Sequence, residues 1–400
     1  MCDARLKFGC DNRHAAGALR AGVVLVGCLL TSLATCAEPV VTAPTEASWV
    51  SFRNGPEQRG VSKSSLPEQL ELLWERKTEF GVAGTAAIVG SHVYVPTIDG
   101  ILFCLNRTDG QEIWSYRSVE DPKTFAPGFK ASPLVTEKLV LVGDEDGVLH
   151  ALDRLTGKKV WSFQSDAEVA GGATPFGDKI VFGSYDSFLY CLNQSDGSLV
   201  WKFQTEDRIN CAPAIADGHT FVSGCDEHLR IINLDSGKQV ADIPLKSFLI
   251  ASPALWEDQL YVGTYTGLVV AIDWKKRDFT WTFDDPDTEF PFHGSAAVTE
   301  KYVLAGSHDK KMHCLDRTSG AEKWSFPTRA QINSSPAIVG DRVFFGSNDG
   351  NLYGVNLETG KETFKQLLGR KVTAGPAIGE GVLVVGAEDN RGKIYCFGKK

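Results

Sequence analysis

One aromatic position recurs along this chain at nearly constant spacing. It falls at Trp74, Trp114, Trp161, Trp201, Trp281, Trp324 and Phe364, with Ala241 holding its place by position alone. Successive steps are 40, 47, 40, 40, 40, 43 and 40 residues. A second series, rich in small residues, interleaves with the first: GTAAI (84–88), ASPLV (131–135), ATPFG (173–177), CAPAI (211–215), ASPAL (251–255), GSAAV (294–298), SSPAI (334–338) and AGPAI (374–378). Two interlocked eight-member series define eight units of about forty residues, and a period of that size marks a repeat architecture.

Each unit reads as four strands. In the seventh, SSPAIVG is a short inner strand, RVFFGS a second, NLYGVNL a third entered through Asn348-Asp349-Gly350, and the segment around Phe364 an outer strand reached through Glu358-Thr359-Gly360-Lys361. Asp-Gly and Asn-Gly pairs favour tight hairpins because a positive φ costs them little. Small residues suit a crowded axis and aromatics a broad rim. A sheet of this size cannot bury both faces alone, so each copy must stack on its neighbours. The expected fold is all-β: an eight-bladed β-propeller of four-stranded antiparallel blades. Trp74 precedes the first inner strand, and the last copy ends at 398 without an outer strand. The N-terminal strand should therefore complete the last blade, leaving few open edges.

The first residues are of another kind. Arg5, Lys7, Arg13 and Arg20 precede the apolar run AGVVLVGCLLTSLATCA at 21–37. A basic flank, a short apolar core and small residues at its end are the parts of a secretory signal. The expected organisation is a signal peptide at 1–37, an extension or linker at 38–69, and the propeller at 70–400. Four endings stay open: lipidation at Cys28 within LVGC, lipidation at Cys36 within LATC, cleavage after Ala37 with no lipid, and an uncleaved apolar anchor. An exported protein is expected, periplasmic or associated with the outer membrane, touching membrane only through such an anchor. Basic residues number 41 against 50 acidic, a net charge of -9. With no basic cluster in the mature part, nucleic acid is excluded as an expected partner. The expected state is a monomer.

HALDRLTGKKVW (150–161) and HCLDRTSGAEKW (313–324) resemble the LxALDxxTGKxxW repeat of the PQQ-like propeller family. The resemblance covers about residues 70 to 398, and WVSFRNGPEQRGVS (49–62) is similar to a WxxFRGPxxxGVS segment preceding many secreted members, with Asn54 as an extra residue. The family includes BamB-type scaffold lipoproteins of outer-membrane protein assembly as well as large quinoprotein dehydrogenases. For the enzymes the resemblance implies pyrroloquinoline quinone (PQQ) and calcium in the central funnel. This chain lacks their adjacent cysteine pair and their long insertions, and no ligand set carries over to it; a repeat named after a cofactor need not bind it. The expected function is thus a non-enzymatic protein-interaction scaffold docking envelope proteins through its loop face. The alternatives are a PQQ-dependent oxidoreductase and a ligand- or glycan-sensing propeller.

Candidate site residues come from the two lengthened steps. RSVEDPKTFAPGFK (117–130) carries Phe125 and Phe129, and DDPDTEFPFHG (284–294) carries Phe290, Phe292 and His293. Aromatics in lengthened loops build a partner surface or fold back as a plug. The hairpin acids Asp99, Asp146, Asp186, Asp226, Asp309, Asp349 and Asp389, with Thr266 as the exception, are read as turn formers rather than a cation-attracting ring. Cys104, Cys191, Cys314 and Cys396 share one repeat position and are read as buried and structural; Cys211 and Cys225 are the one pair close enough in sequence to consider bridging. His308 and His313 lack a nameable third metal ligand. No catalytic residue, metal site or zinc motif is assigned.

Overall fold

The computed structural model describes residues 42–121, 123–285, 290–388 and 391–400. The expected signal segment, Cys28, Cys36 and Asp389 lie outside the described residues. Eight sheets form, each built from four consecutive antiparallel strands apart from the seventh, which gains Val61–Ser62 as a parallel fifth strand, and the last. The second blade is typical: Leu134–Val135, Leu139–Gly143, Val148–Asp153 and Lys159–Gln164, in that order from axis to rim. In the last blade Ala377–Gly379, Val382–Ala387 and Lys393–Gly398 are completed by Glu71–Lys77, with Trp74 opposite Cys396. The expected closure by the N-terminal strand is therefore present.

One register differs from the sequence expectation. Thr174 pairs with Val181, which faces Cys191, just as Leu134 pairs with Leu141, which faces Ala151. The third blade's counterpart of ASPLV is thus Gly171–Pro175, two residues before ATPFG. The Thr-Pro pair imitated the Ser-Pro of other blades.

The repeating Trp and Gly explain each other. Trp114 lies under the turn of the next blade, where a Cβ on Gly157 would fall 2.6 Å from the indole. Gly110 over Trp74, Gly197 over Trp161, Gly237 over Trp201, Gly320 over Trp281 and Gly360 over Trp324 repeat this at 2.5–2.7 Å. Each indole N–H also donates to a carbonyl of that turn, for example Trp74 to Arg107 at 2.8 Å and Trp201 to Leu234 at 2.7 Å. The residue before each Trp bulges out of the ladder, which turns the indole toward its neighbour. Glycine thus answers two demands at these turns, a positive φ and a surface flat enough for an indole.

The exception follows the same rule. Ala241 replaces the Trp, and the turn it faces carries Arg277 at φ 62 where other blades have glycine. With no indole to receive, a side chain is tolerated there, and Arg277 donates back to the Val240 carbonyl at 3.1 Å. Trp274 of that turn packs edge-on against Phe221 at 5.1 Å and joins Ala241 in one core cluster. One bulky residue has moved from the outer strand to the turn.

Residues 45–62 lie within the stretch expected as a linker, and in the fold they form the floor of the central channel. Inner strands are sheet edges whose N–H groups face the axis and need partners. The floor segment supplies carbonyls in rotation: Trp49 to Ile88, Val50 to Val135, Pro56 to Ile215, Glu57 to Leu255, Arg59 to Val298 and Gly60 to Ile338, at 2.7–2.9 Å. At the equivalent position the third blade has Pro175, which offers no N–H, and there Gln58 donates its amide to Thr174 Oγ1 at 3.1 Å instead. Val61–Ser62 then pairs in parallel with Ala337–Val339.

Candidate functional site

With one end of the channel floored, the other is its mouth. Loops entering the inner strands and hairpins between second and third strands surround it. The cavity inside measures about 160 Å³ and is lined by two rings of side chains with Phe52 of the floor. The outer ring includes Lys130, Asn210, His293, Asn333 and Thr373; the inner includes Thr85, Ser132, Ser252, Ser295 and Ser335.

The inner ring is first a structural device. Ser132 Oγ accepts the Thr85 N–H at 2.9 Å, Ser252 that of Ala212 at 2.8 Å, Ser295 that of Ser252 at 2.9 Å, and Ser335 that of Ser295 at 2.9 Å. Each serine staples its inner strand to that of the preceding blade. The small residues expected near the axis are there for this bond as well as for space.

The outer ring is chemically uneven. On one side Lys130 pairs with Glu145 at 2.7 Å and Glu168 at 3.4 Å. Burial works against the Lys130 charge, but the two acids outweigh it and hold its pKa above the ordinary value. Burial also raises Glu168, and Lys130 only partly opposes this. On the opposite side His293 stacks on Tyr265 at 5.7 Å and lies 4.1 Å from the His308 ring. Burial, then the neighbouring His308, pushes the His293 pKa down to about 4, so it is neutral at pH 7. His308 Nε2 donates to Asn333 Oδ1 at 2.7 Å.

The five expected partner residues divide. Phe125 is 80% exposed and Phe290 48% exposed, both on the mouth face. Phe129 and Phe292 are buried and cannot take part in docking. They occupy the position of Val82, Val169, Ile209, Leu249, Ile332 and Val372, all buried, just before the outer ring. At Gly263 an added Cβ would meet Phe292 at 2.5 Å, as at Gly183 it would meet Ile209 at 2.2 Å. Aligning the loops as repeats would have revealed this core position. His293 lines the mouth itself. Phe248 and Tyr265, 48% and 50% exposed, join the same face and were not singled out; their loops have ordinary length, so no spacing marked them.

Among the described hairpin acids, Asp186, Asp309 and Asp349 accept N–H groups of their own turns at 2.7–3.0 Å. Each also binds the residue four positions on: Asp186 to Tyr190 at 2.6 Å, Asp309 to His313 at 2.9 Å and Asp349 to Tyr353 at 2.7 Å; Asp226 binds Arg230 likewise. In the second blade Asp144 does this for His150 in place of Asp146, at 2.8 Å. These carboxylates are engaged internally, which agrees with the turn reading. Asp285, Asp309 and His313 cluster with metal-ligand spacing. Lys311 Nζ already sits 3.1 Å from Asp285 and 3.7 Å from Asp309, so this cluster is occupied by its own cation. Cys104, Cys191, Cys314 and Cys396 are fully buried, and Cys211 and Cys225 are free thiols.

A family model described as "Beta-alanine-activating enzyme, beta-propeller" matches residues 129–400. The chain belongs to this family of PQQ-like β-propellers. A second model, "Outer membrane protein assembly factor BamB", matches residues 67–176. The BamB of Shewanella oneidensis is 23% identical over 167 residues, 38% of this chain and 42% of that protein. The match thus spans less than half the relative's length. Among solved structures, the quinohemoprotein alcohol dehydrogenase of Comamonas testosteroni superposes at TM-score 0.75 with 14% identity, covering 88% of this chain and 81% of that one. BamB from Moraxella catarrhalis gives TM-score 0.68 with 17% identity over 83% and 98%. At such identities the likeness establishes the fold alone. The residues lining this cavity do not suit the calcium that the resemblance to quinoprotein dehydrogenases implies. Calcium calls for several oxygen ligands, carboxylates commonly among them, and the cavity wall carries hydroxyls, amides, an imidazole and an ammonium but no carboxylate among the described residues.

Proposed function

We propose that this propeller is a non-enzymatic scaffold of the cell envelope that docks protein partners on its mouth face. One observation carries the reading. Among the described residues six aromatics are more than 40% exposed, namely Phe80, Phe125, Phe248, Tyr265, Phe279 and Phe290, and all but Phe279 lie in mouth-face loops. Clustered exposed aromatics on a rigid frame mark interaction surfaces. The resemblance to BamB in sequence supports an envelope setting. The chain also enters the disc on the opposite face, where the Thr42 carbonyl accepts from Arg154 and the Thr42 side chain lies at Gly90.

Combined replacement F125S, F248S and F290S is expected to cut recovery of an envelope partner from native membranes at least ~10-fold, the scale of losing one to two kcal/mol of contact. Melting temperature should hold, since all three side chains are exposed. Equal recovery by the triple variant would remove the docking reading. A second measurement addresses the oxidoreductase alternative. Pyrroloquinoline quinone with calcium is expected to leave the melting temperature unchanged, because a ligand of the native state raises it by mass action. A saturable, calcium-dependent rise would replace the scaffold with an enzyme.

A further inference from the structure

The floor segment holds a charge that no carboxylate among the described residues answers. Arg53, in the floor segment, is 1% exposed. Its Nη2 donates to the Ala296 carbonyl at 3.0 Å, its Nε has no partner, and no carboxylate among the described residues lies within ion-pair distance. Gly60 lies against the same head group, where an added Cβ would come within 1.9 Å of Nη2. Burial pulls the Arg53 pKa down to about 9, which still leaves it charged at neutral pH. A buried guanidinium normally has a carboxylate or phosphate in its fork, because an isolated charge is expensive to remove from water.

Arg53 follows Phe52, which lines the cavity floor and whose ring lies 6.0 Å from the guanidinium carbon, and the serine ring of that cavity offers what an anion needs. Ser132, Ser252, Ser295 and Ser335 each use the hydroxyl oxygen as an acceptor for a neighbouring blade's N–H. Their protons have no acceptor among the described residues. A hydroxyl whose oxygen is already engaged faces a ligand as a donor. Four such donors converge on one cavity, and Ser295 adjoins the residue whose carbonyl holds Arg53. Among the described residues no carboxylate enters the lining to repel a negative ligand. The chain as a whole carries net charge -9, so a non-specific attraction for anions is not expected.

We propose that the floored channel is an anion site, in which the serine hydroxyls donate to a small oxyanion or carboxylate group and Arg53 beneath supplies the compensating charge. The ligand enters through the mouth, since residues 45–62 close the other end. The chemistry is that of an inorganic oxyanion or of an acid group at the end of a small metabolite. The site belongs to the channel interior and the floor segment, and does not depend on what docks outside.

The test titrates the full chain with inorganic phosphate, sulfate and acetate at fixed ionic strength, by calorimetry. One saturable site is expected for at least one of the three, weakened more than ~10-fold in R53M. Preference for phosphate and sulfate identifies a tetrahedral oxyanion, and preference for acetate a carboxylate group. No saturable binding of any of the three, or equal affinity in folded R53M, overturns the proposal. If R53M does not fold, bromide soaked into crystals of the unaltered protein decides by anomalous scattering. A peak inside the serine ring supports the site, and its absence there refutes it.

Discussion

At pH 6, His313→Leu is expected to cost about 3 kcal/mol of stability, the lower end for breaking a buried charged pair. His313 is 1% exposed and held between two carboxylates, Asp309 at 2.9 Å and Glu322 at 2.7 Å. Leucine fills a similar space but leaves Asp309 buried against a single cation, Lys311 at 3.7 Å; that residual partner is why the lower figure applies. The loss should depend on pH, and its sign follows from two shifts. Burial alone would lower the His313 pKa, yet the two acids outweigh it and raise the pKa above its ordinary 6.5. Stability from this histidine is therefore complete below about 6.5 and fades as pH climbs through the raised value. Burial acts to raise Asp309, but His313 and the Lys311 N–H outweigh it and hold the carboxyl below its ordinary 3.8. Its contribution is present above about 3.8 and fades as pH falls through the lowered value. Urea unfolding of both proteins from pH 5 to 9 should show the gap between them narrowing on the alkaline side. A gap that is the same at every pH would mean the pair does not titrate as charged groups.

The same pair shows what a sequence can and cannot disclose. Asp309 and His313 stand four apart, as do Asp186 and Tyr190, Asp226 and Arg230, and Asp349 and Tyr353. That spacing joins a hairpin to its own third strand, so local chemistry made it legible once repeats were aligned. The blade number, the closing strand at Trp74 and the buried cysteines were legible for the same reason: each recurs. Phe129 and Phe292 misled because two loop insertions drew attention away from their repeat position, where smaller apolar residues stand in other blades. Arg277 in place of glycine makes sense only with Ala241 across the blade boundary. The serine ring was visible as small residues, but not as a chain of hydrogen bonds.

The floor segment was the least legible part, and it makes the second large prediction. Its partners are backbone N–H groups on blades up to about 280 residues away, reached mostly through carbonyls that carry no side-chain signature; Trp49 binds Ile88 and Gly60 binds Ile338. Asn54, Gly55, Gln58 and Gly60 mark its bends, through positive φ values of 56, 122, 57 and 68. Trp49 is the anchor, fully buried in the cluster that also holds Ile88 and Ile378. Trp49→Ala should cost about 3–5 kcal/mol, the usual range for emptying a buried tryptophan site. The loss should be local before it is global. If the segment detaches, the amides of Val135, Ile215, Leu255, Val298 and Ile338 lose their acceptors and face an open channel, while the outer ladders stay paired. Hydrogen exchange read amide by amide should show those five losing protection together, well before the strands bearing Trp161 or Trp324. Uniform loss across blades would mean that the floor and the ring unfold as one unit. Unchanged protection of the five would mean that the carbonyl contacts do not need Trp49 to hold them.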